Sequence, residues 1–241
     1  IIAGAYPSCV AYDPAYAYEV AVIIEEGMRR MVGKQEDVFF YLTLYNENLD
    51  MPPMPEGCRQ GILDGLYRVE PAPDGDGPGV RLLGSGPLLP HARAAAASLR
   101  EHHGVLAEVW SATSYTELRR NALEVDRWNL LHPMETARVP RVTELLGGSD
   151  DPVIAVTDHI RELPDMVRPW VDCQWTSLGT DGFGRSDTRE QLRRFFEIDQ
   201  AAIEIAALST LARSGNIEMA QVNAAIDRLH VDPDAATPWT N

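Results

Sequence analysis

Short apolar runs alternate with helical segments along most of this chain, and that alternation restricts the fold more than any other feature. GVRLLGSG (79–86), VLAEVWSAT (105–113), PVIAVTD (152–158) and WTSLGT (175–180) read as strands, each separated from the next by residues with helical spacing. Successive strands joined through helices need crossover connections, which make the strands parallel and set helices on both faces of the sheet. An α/β fold with a mainly parallel sheet is therefore expected. The helices between carry their own punctuation. PLLPHARAAAASLREHH runs to Gly104, and Ser114 with Glu117 makes a capping box for YTELRRNALEVDRW. Asp187 with Glu190 is the expected cap of TREQLRRFFEI, and Asp199 starts QAAIEIAALSTLAR, which Gly215 stops. VPRVTELLG and NIEMAQVNAAIDRLH are further helices, and Pro164 damages a helix in HIRELPDMVRPW. GLYRVE (65–70) and GVRLLGSG flank the turn cluster PAPDGDGP and together predict a hairpin.

The first fifty residues have a different character. YDPAYAYEVAVIIEEGMRRMVG predicts one helix, capped by Asp13, with Pro14 in its first turn and a left-handed Gly33 at its end. DVFFYLTLY (37–45) is too apolar for a half-exposed strand and predicts one covered on both faces. Three prolines in MPPMPEG leave few backbone donors, which makes 51–56 a linker. One helix and one strand do not make a domain. Residues 1–50 are thus expected to end a domain that begins upstream of Ile1, and 57–241 to form a second one. IIAGAYPSCV has neither an initiator methionine nor the basic-then-apolar plan of a signal peptide.

Charge narrows the partners. With 21 basic and 36 acidic residues the net charge is −15, which disfavours nucleic acid and anionic membranes, because such affinity rests on Lys and Arg neutralising phosphates. Lys34 is the only lysine, so Schiff-base chemistry is disfavoured. Cys9, Cys58 and Cys173 lack the spacing of a zinc site or disulfide framework and read as buried hydrophobes or incidental thiols in a reducing cytoplasm. No apolar run approaches the ~20 residues that a membrane span needs.

Four stretches invite a functional reading, and each has a structural one beside it. Gly84-Ser85-Gly86, after a strand and before a helix, is either a phosphate cradle or a tight turn, the latter favoured because Pro87 removes a donor. In LGTDGFGRSD (178–187), Asp181, Arg185 and Ser186 fall at the carboxyl end of a strand, where α/β sheets gather ligands and partners. The alternative there is a turn, a helix cap, and Arg185 paired with a local carboxylate. In TLYNENLD (43–50), Asn46, Glu47 and Asn48 line a cleft or serve turn chemistry. Gly75-Asp76-Gly77 resembles the start of the magnesium and diphosphate motif of thiamine-diphosphate enzymes. The stretch REHHGVLAEVW (100–110), however, lacks the asparagines that complete it, so a turn is expected. None of His91, His102, His103, His132 and His159 has an evident nucleophile or a second histidine at metal spacing. The residues alone therefore give an acidic α/β chain with no complete catalytic set.

Longer strings add a resemblance. IIAGAYPSCVAYDPAYAYEVAVIIEEGMRRM, YLTLYNENLDMPPMPEG, RWNLLHPMETARVP and LGTDGFGRSDTREQLRRFFEID resemble, in order, the carboxyl-terminal part of the homodimeric bacterial pyruvate dehydrogenases. These are the decarboxylating first components of the multienzyme complex that links glycolysis to acetyl-CoA. The resemblance implies that 1–50 ends a pyrimidine-binding-type α/β domain and that 57–241 is a transketolase C-terminal-like domain. It implies an oxidoreductase that binds thiamine diphosphate through Mg²⁺, decarboxylates pyruvate and reductively acetylates the lipoyl domain of dihydrolipoamide acetyltransferase. It also implies a homodimer in the cytoplasm. No residue here matches the family's catalytic, cofactor-binding or metal positions, so the 241 residues alone are expected to be inactive and to support dimer assembly and the approach to the active site. Asn46, Glu47, Asn48, Asp181, Arg185 and Ser186 are the channel or interface candidates. A related 2-oxoacid dehydrogenase, a non-catalytic dimerisation or docking module, and an independent protein with a small ligand at Gly84–Gly86 are the alternative readings.

Overall fold

The computed structural model describes residues 2–240. Its first part holds α1 (Ile2–Ala5), β1 (Cys9–Tyr12), α2 (Ala17–Met28) and β2 (Phe39–Leu42). After 51–56, which has neither helix nor strand, come α3 (Arg59–Asp64), β3 (Tyr67–Glu70), β4 (Gly79–Gly84), α4 (Leu89–His103), β5 (Leu106–Ser111), α5 (Tyr115–Leu131) and α6 (Arg141–Leu146). The chain finishes with β6 (Val153–Val156), α7 (Glu162–Asp165), β7 (Trp175–Leu178), α8 (Arg189–Phe195), α9 (Gln200–Arg213) and α10 (Met219–Arg228). The described strands form a parallel pair, β1-β2, and a five-stranded sheet of order β3-β5-β4-β6-β7. β4 to β7 are parallel and β3 runs antiparallel on the outer edge of β5.

Period-two packing explains why the central strands read as unbroken apolar runs. Val80, Leu82, Val109, Ile154 and Val156 face α4 and α9, where Leu89, Leu99, Ile203 and Leu208 close the layer. Leu83, Trp110, Val153 and Ala155 face the opposite layer, with Leu118 of α5 and Val142 and Leu146 of α6. Full burial of each large aliphatic side chain contributes roughly 1.5–3 kcal/mol. The charged exception is Arg81, buried mid-strand, whose guanidinium donates to the carbonyls of Leu146, Ser149 and Asp151.

The expected hairpin does not form. β5 lies between β3 and β4, and both edges of β4 are filled by parallel partners, β5 and β6. The Pro/Gly/Asp cluster therefore spans two strand positions as an open connection. Nor is DVFFYLTLY covered on both faces. β2 has one paired edge, and Phe40 and Leu42 pack with Val22 and Ile23 of α2 on a single side, which leaves Phe39 and Tyr41 51% and 52% exposed. Its partner β1 lies in a stretch for which the sequence predicts no element.

Helix ends follow the predicted chemistry in part. Gly104 (φ 65°) and Gly215 (φ 76°) are left-handed stops, and Ser114 and Asp199 accept from the N–H groups of Glu117 and Ala202. Glu117 gives its carboxylate to Arg120 at 2.8 Å. The cap of α8 is Thr188, which accepts from the Gln191 N–H, whereas Asp187 accepts from the Thr188 N–H. Beyond α2 the chain does not stop at a left-handed Gly33. Arg29–Gly33 widens into a π-turn, and the positive φ falls on Gln35 at 53°. Asp13 does not cap α2, because Glu19 already reaches back to the N–H groups of Ala15 and Tyr16.

Glu19 also joins the two parts of the chain. Fully buried, it accepts from the Tyr67 hydroxyl and the Ser111 hydroxyl, each at 2.7 Å. Burial pushes its carboxyl above the usual range, against the pull of its hydrogen-bond donors. Around it Val10, Tyr12, Val22 and Ile23 pack on Cys58, Ile62 and Tyr67. Cys9 and Cys58 are buried and Cys173 half-buried, all as free thiols. Among the described residues no helix is long and apolar enough to cross a membrane.

Candidate functional site

Strands from both sheets deliver their carboxyl ends to one cleft of about 370 Å³. Asp13 follows β1, Thr43 follows β2, Thr113 follows β5, Asp158 and His159 follow β6, and Thr180 follows β7, and all of them line it. Such a junction is where open α/β sheets bind ligands. Asp13 is the hinge of the arrangement. Its N–H donates to the Thr113 carbonyl at 2.7 Å, and its own carbonyl accepts from the Gly86 N–H at 3.1 Å. Its Oδ1 accepts from the hydroxyls of Thr43 and Tyr45. His159 Nε2 stands 3.7 Å from Oδ2. Burial pushes the Asp158 carboxyl up; Asp13 adds to that shift and Arg193 opposes it.

The 43–50 motif is held nearby by α8, the helix that follows the 178–187 motif. Arg193 grips Glu47 with both terminal nitrogens, Nη1 at 2.9 Å. This donation holds the Glu47 carboxyl below the usual carboxylate range. Arg189 donates to the Asn46 carbonyl, and Arg193 also reaches His91 Nε2 at 3.2 Å. Burial, followed by the Arg193 charge, pushes the His91 imidazole down. Asn48 and Ser186 are exposed. Asp181 pairs with Arg161 at 2.8 Å and accepts from its N–H, while Arg185 lies over the Phe195 ring at 4.3 Å and not on a carboxylate. The side chains of Asp181 and Arg185 thus engage elsewhere, and the residues that bind 46–47 are Arg189 and Arg193. Their i, i+4 spacing on α8 put them on one face, the sole local sign of a shared role.

Gly84-Ser85-Gly86 is a tight turn. The Ser85 N–H donates to the Val156 carbonyl and the Gly86 N–H to Asp13. A Cβ on Gly86, whose φ is +49°, would lie 2.7 Å from Asp13 Oδ1 and 2.9 Å from the Tyr45 ring. Neither amide is free for a phosphate. Gly75-Asp76-Gly77 sits in the open β3–β4 connection with Asp76 exposed, and no cluster of three His, Cys, Asp or Glu side chains suited to a metal occurs among the described residues. His103 is a structural histidine, 3.0 Å from fully buried Glu204, which also accepts from Arg228.

Comparison with known proteins adds two family matches. Residues 65–199 match the transketolase-like TK C-terminal domain, and residues 1–52 match the pyruvate dehydrogenase E1 component middle domain. The pyruvate dehydrogenase E1 component of Escherichia coli K12 is 47% identical over 96% of this chain. That of Pseudomonas aeruginosa PAO1 is 46% identical over 99%. The chain spans about a quarter of these relatives, 26% and 27% of their lengths. In fold it is similar to the transketolase of Leishmania mexicana, with TM-score 0.59 and 18% identity, over 88% of this chain and 26% of that one. The transketolase of Campylobacter jejuni gives TM-score 0.57 and 17% identity, over 85% and 27%.

Proposed function

The chain belongs to the transketolase-like TK C-terminal domain family, and from that membership we propose that it serves as the carboxyl-terminal part of a thiamine-diphosphate-dependent pyruvate dehydrogenase. That enzyme decarboxylates pyruvate and reductively acetylates the lipoyl group of the acetyltransferase component, so its electron acceptor is a disulfide. The observation that carries the reading is 47% identity over 96% of the chain to a pyruvate dehydrogenase E1 component. The middle-domain match preceding the C-terminal-domain match in the same chain supports it further. In this reading 1–50 closes the middle domain, 51–56 links, and 57–241 is the C-terminal domain. Thiamine diphosphate and Mg²⁺ are held by parts of the enzyme that this chain does not match.

The segment's own task is then assembly of a cytoplasmic homodimer and definition of the approach used by the lipoyl domain. Asn46, Glu47, Asn48, Asp181, Arg185 and Ser186 are the residues proposed for that channel or interface. The exposure of Asn48 and Ser186 supports it, as does the anchoring of Glu47 by Arg193, which fixes where the 46–48 segment lies.

The test uses the full-length enzyme and the 241-residue chain side by side. With pyruvate, thiamine diphosphate and Mg²⁺, the full-length enzyme is expected to release carbon dioxide and acetylate an isolated lipoyl domain. The 241-residue chain should do neither. A full-length enzyme that prefers a different 2-oxoacid overturns the substrate, and cofactor-dependent release by the 241 residues alone overturns the placement of the chemistry. Asp181→Ala and Arg185→Ala in the full-length enzyme test the interface: unchanged dimer mass and unchanged lipoyl acetylation would remove that loop from it.

A further inference from the structure

Buried polar atoms without a partner are rare in folded proteins and each calls for a cause. Among the described residues six buried side-chain nitrogen or oxygen atoms make no hydrogen bond. Three of them, on Arg141, Arg161 and Glu204, lie outside the cleft at the strand ends and belong to side chains already held in ion pairs. The other three are Asp13 Oδ2, the Tyr115 hydroxyl and Thr180 Oγ1, and all three residues line the cleft at the strand ends. They come from three separate stretches of the chain, so no single local irregularity explains why all three lie in one lining. Asp13 is 8% exposed and Tyr115 2%. Neither is a surface group turned to solvent.

The charge of the lining selects the ligand. No Arg or Lys borders the cleft, and its acids are Asp13 and Asp158. An anion would meet two carboxylates, offset by His159 in the lining and by the Arg193 charge acting on Asp158. All three unpartnered atoms can accept a hydrogen bond, and a primary ammonium group carries three donors in a compact head. The walls beside them include Ala11, Ala112 and Leu163, which suit a short hydrocarbon body, and about 370 Å³ lies within the range of small-molecule pockets. We propose that this cleft binds a small primary ammonium compound with a short apolar body, its N–H groups donating to Asp13 Oδ2, the Tyr115 hydroxyl and Thr180 Oγ1. Oδ1 of Asp13 is already committed to Thr43 and Tyr45, which fixes the carboxylate, and its second oxygen has only His159 Nε2 near it, at 3.7 Å and beyond hydrogen-bond reach. The proposal does not rest on the pyruvate dehydrogenase reading and assigns this cleft no part in that reaction.

Calorimetric titration of the full-length protein in its native assembly tests this, with n-butylammonium as the probe and 1-butanol, butyrate, tetramethylammonium and K⁺ as controls. Saturable binding of n-butylammonium at one site per chain is expected, with none of the controls binding as tightly. Asp13→Asn keeps an oxygen for Thr43 and Tyr45 but loses the charge, and should weaken binding by tenfold or more. Tyr115→Phe keeps the ring in its packed site and removes a hydroxyl that has no protein partner, so it should leave folding intact and weaken binding about tenfold, the share of one hydrogen bond to a charged group. Absence of saturable binding overturns the proposal. So does equal affinity for 1-butanol, which would mean an unspecific apolar cavity, or equal affinity for K⁺, which would mean an inorganic cation site. Unchanged affinity in folded Tyr115→Phe overturns the placement.

Discussion

Removing the Tyr67 hydroxyl isolates one buried contact between residues 1–50 and the rest of the chain. In Tyr67→Phe the ring stays in its cluster with Val10, Ile23 and Ile62, and the loss is a 2.7 Å donation to a fully buried carboxylate. A hydrogen bond to a charged group contributes about 1.5–3 kcal/mol net. The Tyr18 hydroxyl, 2.7 Å from that of Tyr67, loses a partner as well, which puts the expected loss toward the upper end. Glu19→Gln should be worse. Ala15 and Tyr16 donate to one carboxylate oxygen and Tyr67 and Ser111 to the other, and a glutamine turns one of those oxygens into a donor. Turned toward Tyr67 and Ser111, whose hydroxyls can accept as well as donate, the NH₂ group still ends both of their donations to a carboxylate, at about 1–3 kcal/mol each. Urea unfolding followed by circular dichroism gives both numbers, provided the midpoint moves at constant slope. In a double-mutant cycle the two changes should couple by at least about 1 kcal/mol, since they share one contact. A loss below about 0.5 kcal/mol for Tyr67→Phe, or strict additivity in the cycle, would refute the assignment of Glu19 as the joint.

Two further outcomes are expected at the site. Glu47 has its carboxyl lowered by the Arg193 donation, so its contribution to stability is present above the unfolded carboxylate value, about 4.3, and is lost as pH falls through the lower folded value. In Arg193→Gln the Glu47 titration should move back up toward that unfolded value, read by carbon-detected NMR of the carboxylate; an unmoved titration would show that Arg193 is not the cause. Gly86→Ala places a methyl group against Asp13 and Tyr45 in a left-handed backbone position, and should destabilise by more than about 1 kcal/mol. Thermal unfolding measures it, and an unchanged midpoint would contradict the close approach of 13 and 86.

Among the strands read from sequence, including the half-buried β2, β3 and β7, the plainest are those buried on both faces. β4, β5 and β6 announce themselves because both faces need apolar residues, and the helices between them dictate parallel pairing. Which strand neighbours which is set by contacts distant in sequence, so GLYRVE and GVRLLGSG look like a hairpin until β5 is found between them. CVAY is too short to carry a pattern and becomes a strand only through its pairing with β2. The site was legible in the same uneven way. Glu47 stands out as an acid after an apolar run, but its partner Arg193 lies far along the chain on a helix marked in the sequence only by its cap. Asp13 drew notice as a helix cap. Its residue type suits that role, yet Glu19 fills it and frees Asp13 to tie β1 to the turns after β4 and β5.

Continuity of the backbone and cohesion of the parts are separate matters here. The proline-rich stretch 51–56 has neither helix nor strand, whereas Glu19, Asp13 and the cluster around Ile23 and Ile62 carry the contact between residues 1–50 and residues 57–241. Met51 still accepts from the Ala17 N–H, but beyond it insertions in this stretch should be tolerated before anywhere else along the join. By the same reasoning, gene fission at this point could leave two polypeptides that still recognise each other, because what holds them together never passed through the peptide bonds between them.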